Sequence, residues 1–411
     1  MGSDIGVIGF GQCGSRVAID VSGEFDPTAV LSGKPPASAR LRLVFERWGR
    51  RKPSQSSDIQ VQRKPDIYIG DLNSKNGNYL SQAKIQKIAE VLQREDSKTA
   101  KDDSYLLSVL KSRYPELGFS DEDLSLIGDL RANPGLSELI TPLYFESGSK
   151  ILLEVDGAGG QQFISEAIAD VDAALLSKIK PRPNGIMFGV FALGGGTGAG
   201  TLLSLLSKYR TQTNRYTIGV GVLPGRNDGI VSVANVGRYF CRFYSRGIKD
   251  RYDSLILFSN NAAESAIEVA NSKEPKANNL PKLPIDLINE YIASFIRSIS
   301  SMNDSATVPL LGKSFDPMDG RIILSGLATV GYASADGFDP KRLFLDAISP
   351  MKIENDSLQG VSVIVSDDEE DQGAELRGYL EKLVVQFVWV CRRHRGYGAK
   401  CAQPIRILSN H

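Results

Sequence analysis

Five of the seven residues from Gly194 to Gly200, in the stretch GGGTGAG, are glycines. An apolar run precedes this stretch, and a leucine-rich run with helical spacing follows it. Glycines let backbone amides converge on an anion, and the amides at the start of a helix point toward it. Thr197 adds a hydroxyl donor. One or two glycines would more often indicate a flexible turn, but five predict a phosphate-binding loop between a strand and a helix.

Three other stretches place similar residues after predicted strands. GFGQCGSRV, from Gly9 to Val17, fits the pattern G-x-G-x-x-G, which alone is a weak signal of dinucleotide binding. IGDLNS places Asp71 and Asn73 where a carboxylate can meet a ribose or a hydrated metal ion. DGAGG adds the glycines of Gly157–Gly160. Several such loops on one sheet predict a polyphosphate ligand. TVPLLGKS does not fit a Walker-type loop, because Thr307 replaces its first glycine.

Short apolar strands alternate with amphipathic helices along most of the chain. This alternation predicts an α/β fold with a Rossmann-like parallel sheet that is covered on both faces and binds ligands at the carboxyl ends of its strands. The predicted strands of this unit are 4–10, 66–70, 151–155, 186–193, 216–223 and 254–258, and the predicted helices are 14–21, 79–94, 163–179, 201–210 and 230–244.

The pattern changes after Phe258. A connector rich in Pro, Asn and Lys is followed by apolar residues at helical spacing, which predict a long central helix over Ile285–Met302. A smaller α+β C-terminal unit is then expected, with strands at 321–332, 361–365 and 405–408 and a main helix at 376–390. The predicted domains are 1–275 with an insertion at 27–65, the connector and central helix at 276–312, and a C-terminal domain at 313–411.

Composition indicates an ordinary globular protein. Hydrophobic residues make up 42% and charged residues 23%, and 48 basic residues balance 48 acidic ones. The four cysteines lack paired zinc-ligand spacing, and the presence of two histidines, His394 and His411, both near the C-terminus, argues against histidine-centred catalysis. The first ten residues do not fit a signal peptide, and no apolar run reaches the length of a transmembrane helix. We therefore expect a cytoplasmic location with reduced thiols.

One segment departs from this neutral balance. Between Lys34 and Lys64 there are nine basic residues and two acidic ones, a net charge of +7, in a stretch with Pro, Ser and Trp48. It is predicted to be a long surface loop. It could contact an acidic surface, such as a neighbouring filament, anionic lipid or DNA, or it could be a solvated insertion.

As an ordered set, these motifs resemble the tubulin/FtsZ superfamily of GTPases. GGGTGAG is similar to the signature loop of that family, GQCG to the first nucleotide loop of tubulin, and DGAGG to the third phosphate loop. LILFSNN and LINEY resemble the two segments that read guanine, and KSFDPMDGRI resembles the catalytic loop. GVLPGRNDG and TVGYAS look most like the CetZ branch, and TubZ proteins are less similar. The departures are Ser314, Ile285 and Ala199, which bear on base affinity and turnover rather than on the fold.

The resemblance implies a cytoskeletal GTPase that binds GTP or GDP with Mg²⁺ and assembles head to tail into filaments. Residues of this chain would contact four parts of the nucleotide: the α/β-phosphates, the β/γ-phosphates around Mg²⁺, the ribose and the guanine edge. The implied ligand-binding residues are Gly11, Gln12, Cys13, Arg16, Asp71, Asn73, Gly157, Ala158, Gly159, Gly160, Gly194, Gly195, Gly196, Thr197, Gly198, Asp228, Asn260 and Asn289. No residue is assigned as a direct metal ligand.

The same resemblance implies that Asp316 and Asp319 are catalytic. The central helix is roughly 27 Å long at 1.5 Å per residue, so these carboxylates lie too far from the phosphate loops of their own subunit. They would act on the nucleotide of the next subunit, although two aspartates three apart in a loop more often form a turn or a helix cap. Two alternatives are a family member that binds nucleotide without polymerising, and a Rossmann oxidoreductase, which would leave GGGTGAG without a role.

Overall fold

A computed structural model describes residues 5–22, 65–94, 102–132, 134–181, 185–261, 284–302, 326–333, 360–366, 387–393 and 405–410. The strands are β1 Ile5–Phe10, β2 Asp66–Gly70, β3 Thr141–Leu143, β4 Ile186–Ala192, β5 Tyr216–Leu223, β6 Ser254–Ser259, β7 Gly326–Ala333, β8 Gly360–Ser366, β9 Phe387–Arg393 and β10 Ile405–Asn410. The α-helices are α1 Gly11–Ser22, α2 Gly77–Arg94, α3 Asp103–Arg113, α4 Leu124–Ala132, α5 Ser147–Leu152, α6 Gln162–Val171, α7 Ala173–Ser177, α8 Thr197–Thr213, α9 Ile230–Ser245 and α10 Pro284–Met302.

The strands form one sheet in the order β3-β2-β1-β4-β5-β6-β7-β10-β8-β9. The first seven in this order are parallel, which confirms the predicted α/β class. β10 pairs antiparallel with both β7 and β8. The order changes direction at β1, whose neighbours are β2 and β4, and ligands of doubly wound sheets bind at such a switch point.

Both faces of the parallel sheet are buried, because β1 and β4 contribute alternate residues to two separate cores. Val7 packs in the core formed with α1, α2 and α10, and Ile8 packs in the core formed with α6, α8 and α9. The aromatic rings of Phe191 and Tyr239 lie 5.3 Å apart in the second core, which fixes α9 against β4. Helices on both faces therefore hold the strand ends in place.

Two predicted elements are wrong. The strand predicted at 151–155 overlaps α5 and the turn after it, and Ile151 and Leu152 are 72% and 71% exposed. This apolar run lies on the surface instead of in the core, and the third strand of the chain is Thr141–Leu143. The end of the predicted helix 376–390 is strand β9, whose apolar run FVWV pairs with β8. The rest of that predicted helix lies outside the described residues.

The helix predicted at 163–179 is divided at Asp172. Its carboxylate accepts hydrogen bonds from the backbone amides of Ala174 and Leu175 and so caps α7, while its other oxygen accepts one from the amide of Glu146. Such a cap begins a new helix and ends the previous one. The central helix predicted at 285–302 is confirmed as α10.

Candidate functional site

The loops that carry the predicted site follow β1, β2, β4, β5 and β6, which are adjacent in the sheet. Since these strands are parallel, all five loops lie at the same edge, as the sequence predicted. The DGAGG stretch reaches this edge differently. It follows α5 instead of a strand and leads directly into α6.

The loop Gly194–Gly198 leads from β4 into α8. A Cβ atom at Gly196 would lie 2.9 Å from the backbone nitrogen of Gln161 and 2.9 Å from the Cβ of Ala158, so glycine is required for this close approach. A Cβ at Gly200 would lie only 2.0 Å from the carbonyl oxygen of Gln162, where α8 crosses α6. Part of the glycine signature therefore serves packing. The first-turn amides of α8 have no acceptor within the helix and are directed at this edge.

The second glycine loop, Gly157–Gly160, folds over the first. Gly157, Gly159 and Gly160 have φ values of +99°, +52° and +77°, in the left-handed region that favours glycine. Such successive left-handed turns orient amides toward a common point and form anion-binding concavities. The two loops are in van der Waals contact through Gly196, so they form one continuous backbone surface.

Three polar side chains hold the carbonyl groups of these loops. Nε2 of Gln162 donates to the carbonyl oxygens of Leu193 at 2.7 Å and Gly195 at 3.2 Å. Oγ of Ser165 donates to the carbonyl oxygen of Gly196 at 2.7 Å. Nδ2 of Asn235, on α9, donates to the carbonyl oxygens of Gly160 at 2.8 Å and Gly194 at 3.0 Å. Carbonyl groups that are fixed in this way would not repel an anion at the amide side of the loops.

The loop after β2 is organised by Asp71, which is buried. Its carboxylate accepts hydrogen bonds from the backbone amide of Asn73 at 3.0 Å and from the side chain of Asn76 at 2.5 Å. The Asn73 Cβ lies 3.9 Å from a Cβ placed at Gly157, and the Ser74 hydroxyl lies 3.5 Å from the Asp156 carboxylate. This loop therefore joins the second glycine loop, as the prediction of one site requires.

The GQCG stretch forms the first turn of α1, one turn earlier than predicted. Gly11 has a φ of +72°, and a Cβ placed on it would lie 3.4 Å from the backbone nitrogen of Gly198. The Cys13 sulfur lies 3.8 Å from Oδ1 of Asn289 on α10, and Nη1 of Arg16 lies 4.0 Å from the carboxylate of Asp286. The first nucleotide loop and the predicted base-reading helix are thus adjacent. Gln12 is exposed at this point.

Asp228 and Asn260 lie in the loop after β5 and immediately after β6. The Asp228 carboxylate accepts a hydrogen bond from the Gly225 amide at 2.7 Å, so it closes its own loop while the residue remains exposed. Oδ1 of Asn260 is buried and has no hydrogen-bond partner among the described residues. Within the described part of the chain, no hydrogen bond joins either side chain to the glycine loops, and their ligand roles stay predictions.

The catalytic prediction falls on residues that are not described, since Asp316 and Asp319 lie outside the described ranges. Within those ranges, no three His, Cys, Asp or Glu side chains form a metal-binding cluster. Asp71 is the buried carboxylate beside the loops.

Sequence reasoning missed Gln162, Asn235 and Arg242. Nη2 of Arg242 donates to Oε1 of Gln162 at 2.8 Å, and Nη1 of Arg242 donates to the Glu166 carboxylate at 2.5 Å. A signal was present for Asn235, because it shares helical spacing with the buried residues Tyr239 and Phe243. A buried amide on an otherwise apolar helix face must find partners, and here the partners are the loops.

Comparison with known proteins supports the resemblance to tubulin-like proteins that the motifs indicated. No protein-family model matches the chain. The tubulin-like protein CetZ1 of Haloferax volcanii is 25% identical over 187 residues, which cover 46% of this chain and 44% of that protein. CetZ3 of the same organism is 24% identical over 204 residues, or 49% of this chain and 48% of that protein. The chain thus matches less than half the length of these relatives.

Solved structures match over nearly the whole chain. An empty FtsZ dimer from M. jannaschii has a TM-score of 0.57 at 15% identity and covers 100% of this chain, which covers 88% of that one. GDP-bound CetZ1 from Haloferax volcanii has a TM-score of 0.53 at 17% identity, with 99% and 94% covered. A GTPγS-bound CetZ2 protofilament has a TM-score of 0.53 at 15% identity, with 99% and 92% covered. The chain has the fold of the tubulin/FtsZ superfamily, as its motifs predicted, and it is similar in sequence to CetZ proteins.

Proposed function

We propose that this chain is a cytoskeletal GTPase that binds GTP at the edge formed by the glycine loops. It assembles head to tail into filaments and hydrolyses GTP at the contact between subunits. The observation that carries the proposal is the joined surface of Gly157–Gly160 and Gly194–Gly198, whose carbonyl groups are held by side chains. Its amides are left to bind a polyphosphate.

Neither glycine loop contains a lysine or arginine. Charge on the phosphates would then be balanced by amide dipoles, by the start of α8 and by a Mg²⁺ ion. Asp71 already accepts two hydrogen bonds, so we assign it to a water of the hydrated ion and to loop geometry. The ion, when bound, would neutralise negative charge on the phosphates.

The base would lie between α1 and α10, near Cys13 and Asn289. Among the described residues, the donor to Oδ1 of Asn289 is the weak thiol of Cys13, at 3.8 Å, and guanine offers a stronger N–H donor to the same oxygen. Asn260, whose Oδ1 is buried without a described partner, would supply the second amide. Amide side chains suit guanine because its edge presents both donors and acceptors.

Self-assembly is supported by apolar side chains that surround the site. Phe163 and Ile230, in the first turns of α6 and α9, are 62% and 85% exposed, and Ile151 and Leu152 lie just before the second glycine loop. Exposed apolar residues grouped around a functional site commonly mark a contact surface. Both CetZ2 and a TubZ from Bacillus thuringiensis have been solved as GTPγS-form protofilaments. A second copy of this chain is the proposed partner.

Hydrolysis would require the next subunit, because Asp316 and Asp319 follow α10 in the chain. In this proposal they orient the attacking water toward the γ-phosphate, and the glycine loops stabilise the charge that develops. No helix of the described part of the chain is long and apolar enough to cross a membrane. A cytoplasmic location of the filament is a separate part of the proposal, as expected from the sequence.

The test is phosphate release from GTP measured across a range of protein concentrations, with filament pelleting in parallel. Activity per molecule should rise above a threshold concentration at which pellets first form. A constant activity without pellets would favour the alternative, a nucleotide-binding family member that does not polymerise. Binding of a nicotinamide dinucleotide in place of GTP would favour the oxidoreductase alternative, which gives neither glycine loop 157–160 nor 194–198 a role.

A further inference from the structure

We propose that Asn235 and Arg238 of α9 are positioning residues that set the distance between the two phosphate loops. The inference rests on the proposed function, because it concerns how that site holds a polyphosphate. Neither residue belongs to a glycine loop, and neither is among the residues that the family resemblance assigns to the nucleotide.

The side chain of Asn235 joins the loops directly. It is 1% exposed, and its Nδ2 donates to the carbonyl oxygens of Gly160 and Gly194, one in each loop. A single NH₂ group thereby fixes both loops relative to each other. The two donors of that group are both used, so removal of the amide leaves two carbonyl groups without this partner.

Arg238 sets the orientation of that amide. Its Nη1 donates to Oδ1 of Asn235 at 3.2 Å, one turn further along α9. Because guanidinium can only donate, it requires the oxygen of the amide and directs the nitrogen toward the loops. Arg238 itself is exposed, so its replacement does not open a core.

The helix that carries these residues is firmly anchored. The ring of Tyr239 lies 5.3 Å from that of Phe191 on β4, and the Cβ of Ser232 lies 2.8 Å from a Cβ placed at Gly194. Arg242 and Arg246 both bond to Glu166 on α6. Because the helix is anchored in this way, the position of Asn235 is fixed, and the two loops that it holds keep a fixed spacing.

The consequence is selectivity for the phosphate chain. The loops contact phosphates, whereas the base and the first-phosphate side lie near α1 and α10. A change in loop spacing should therefore weaken GTP more than GMP. A residue with a merely structural role would lower thermal stability without changing the ratio of the two affinities.

The experiment measures affinities for GTP and GMP by isothermal titration, with Mg²⁺, for the unaltered chain and three variants. Asn235→Asp keeps the shape of the side chain but cannot donate to either carbonyl oxygen. Arg238→Ala leaves the core intact. Gln82→Leu replaces a buried amide on α2, at 1% exposure, and serves as the matched control.

We expect Asn235→Asp to weaken GTP at least about tenfold more than GMP, and Arg238→Ala to do the same by roughly threefold, the range expected for lost hydrogen bonds. Gln82→Leu should leave the ratio unchanged. An unchanged ratio in Arg238→Ala, together with either an unchanged ratio or failure to fold in Asn235→Asp, would overturn the inference. If the unaltered chain does not bind GTP, the proposed function itself fails, which is a separate result.

Discussion

The thiol of Cys13 donates to Oδ1 of Asn289 at 3.8 Å and so joins the first turn of α1 to the long helix α10. These residues are 276 positions apart in the sequence, yet both were predicted to contact the nucleotide. Asn289 is 2% exposed, so the α10 side of this contact is buried. The contact makes Cys13 a reporter of the proposed base site.

We predict that Cys13 reacts slowly with alkylating reagents. Burial raises the pKa of its thiol from 9.0 to about 12, although neighbouring Arg16 acts in the opposite direction. At pH 8 the reactive thiolate is then about a thousandfold rarer than for a thiol of normal pKa. Cys241 is exposed and should be modified first. Peptide mass spectrometry after timed N-ethylmaleimide treatment measures the order.

The same raised pKa predicts a pH dependence of stability. The thiol of Cys13 ionises at lower pH in the unfolded chain than in the folded one, so its neutral form stabilises the fold fully below about pH 9. This contribution is lost as the pH rises toward about 12.

The slow alkylation of Cys13 has its own control. In guanidinium chloride Cys13 and Cys241 should react at similar rates, and slow reaction of Cys13 there would contradict burial as the cause.

We predict that Gly196→Ala weakens GTP binding. The new Cβ would lie 2.9 Å from the Gly160 carbonyl carbon and from the Ala158 side chain, so the two glycine loops must separate. Overpacking of this kind costs about 2 kcal/mol, or roughly 30-fold in affinity if it falls on the bound state. The measurement is titration with GTP.

Gly128→Ala is the matched control for that variant. Gly128 lies inside α4, and no atom lies within 4 Å of a Cβ placed there. Alanine in a helix interior should stabilise the chain by about 0.5–1 kcal/mol and leave GTP affinity unchanged. Equal affinities for both variants would show that the loop contact at Gly196 does not support the site.

The sequence was sufficient for the parallel sheet, the central helix and the position of the glycine loops, because these depend on strong apolar runs and on glycine density. It was insufficient at Ile151–Val155, since an apolar run has the same composition whether it is buried or exposed. Surface apolar residues are informative only once the fold shows what they surround. Asn235 was missed for a different reason. Its hydrogen-bond partners are backbone carbonyl groups, and a sequence motif carries no information about which side chain contacts them.

We predict that Phe163→Ser raises the protein concentration at which filaments form, by about tenfold or more. Its ring is 62% exposed beside the second glycine loop, and burial of an aromatic side chain contributes about 1.5–3 kcal/mol to a contact. Pelleting in the presence of GTP measures the threshold. Val171→Ser is the control, because Val171 is also exposed but lies at the other end of α6. Similar thresholds for the two variants would argue against the proposed contact surface.

Deletion of residues 34–64 tests the basic segment, which carries a net charge of +7. We expect the shortened chain to bind GTP normally, while filament bundling and sedimentation with anionic vesicles or DNA decrease. The original protein should lose the same interactions as salt is raised, because attraction between exposed charges is screened within about 10 Å at 0.1 M ionic strength. Unchanged bundling and unchanged binding to vesicles and DNA would identify the segment as a solvated insertion.

Asp319→Ala separates hydrolysis from assembly. If Asp319 positions the attacking water in the neighbouring subunit, the variant should bind GTP and pellet as filaments but release phosphate on the order of a hundredfold more slowly. Filaments of the variant should then persist longer than filaments of the unaltered protein, because the variant consumes GTP more slowly. Asp371→Ala, in the acidic run 367–371, tests for a general effect of lost negative charge and should keep normal turnover.

Mixing inactive Asp319→Ala with a chain that cannot bind GTP provides a further test, because activity should return only if one subunit supplies the aspartate and the other the nucleotide. Normal turnover by Asp319→Ala alone would remove this residue from the mechanism.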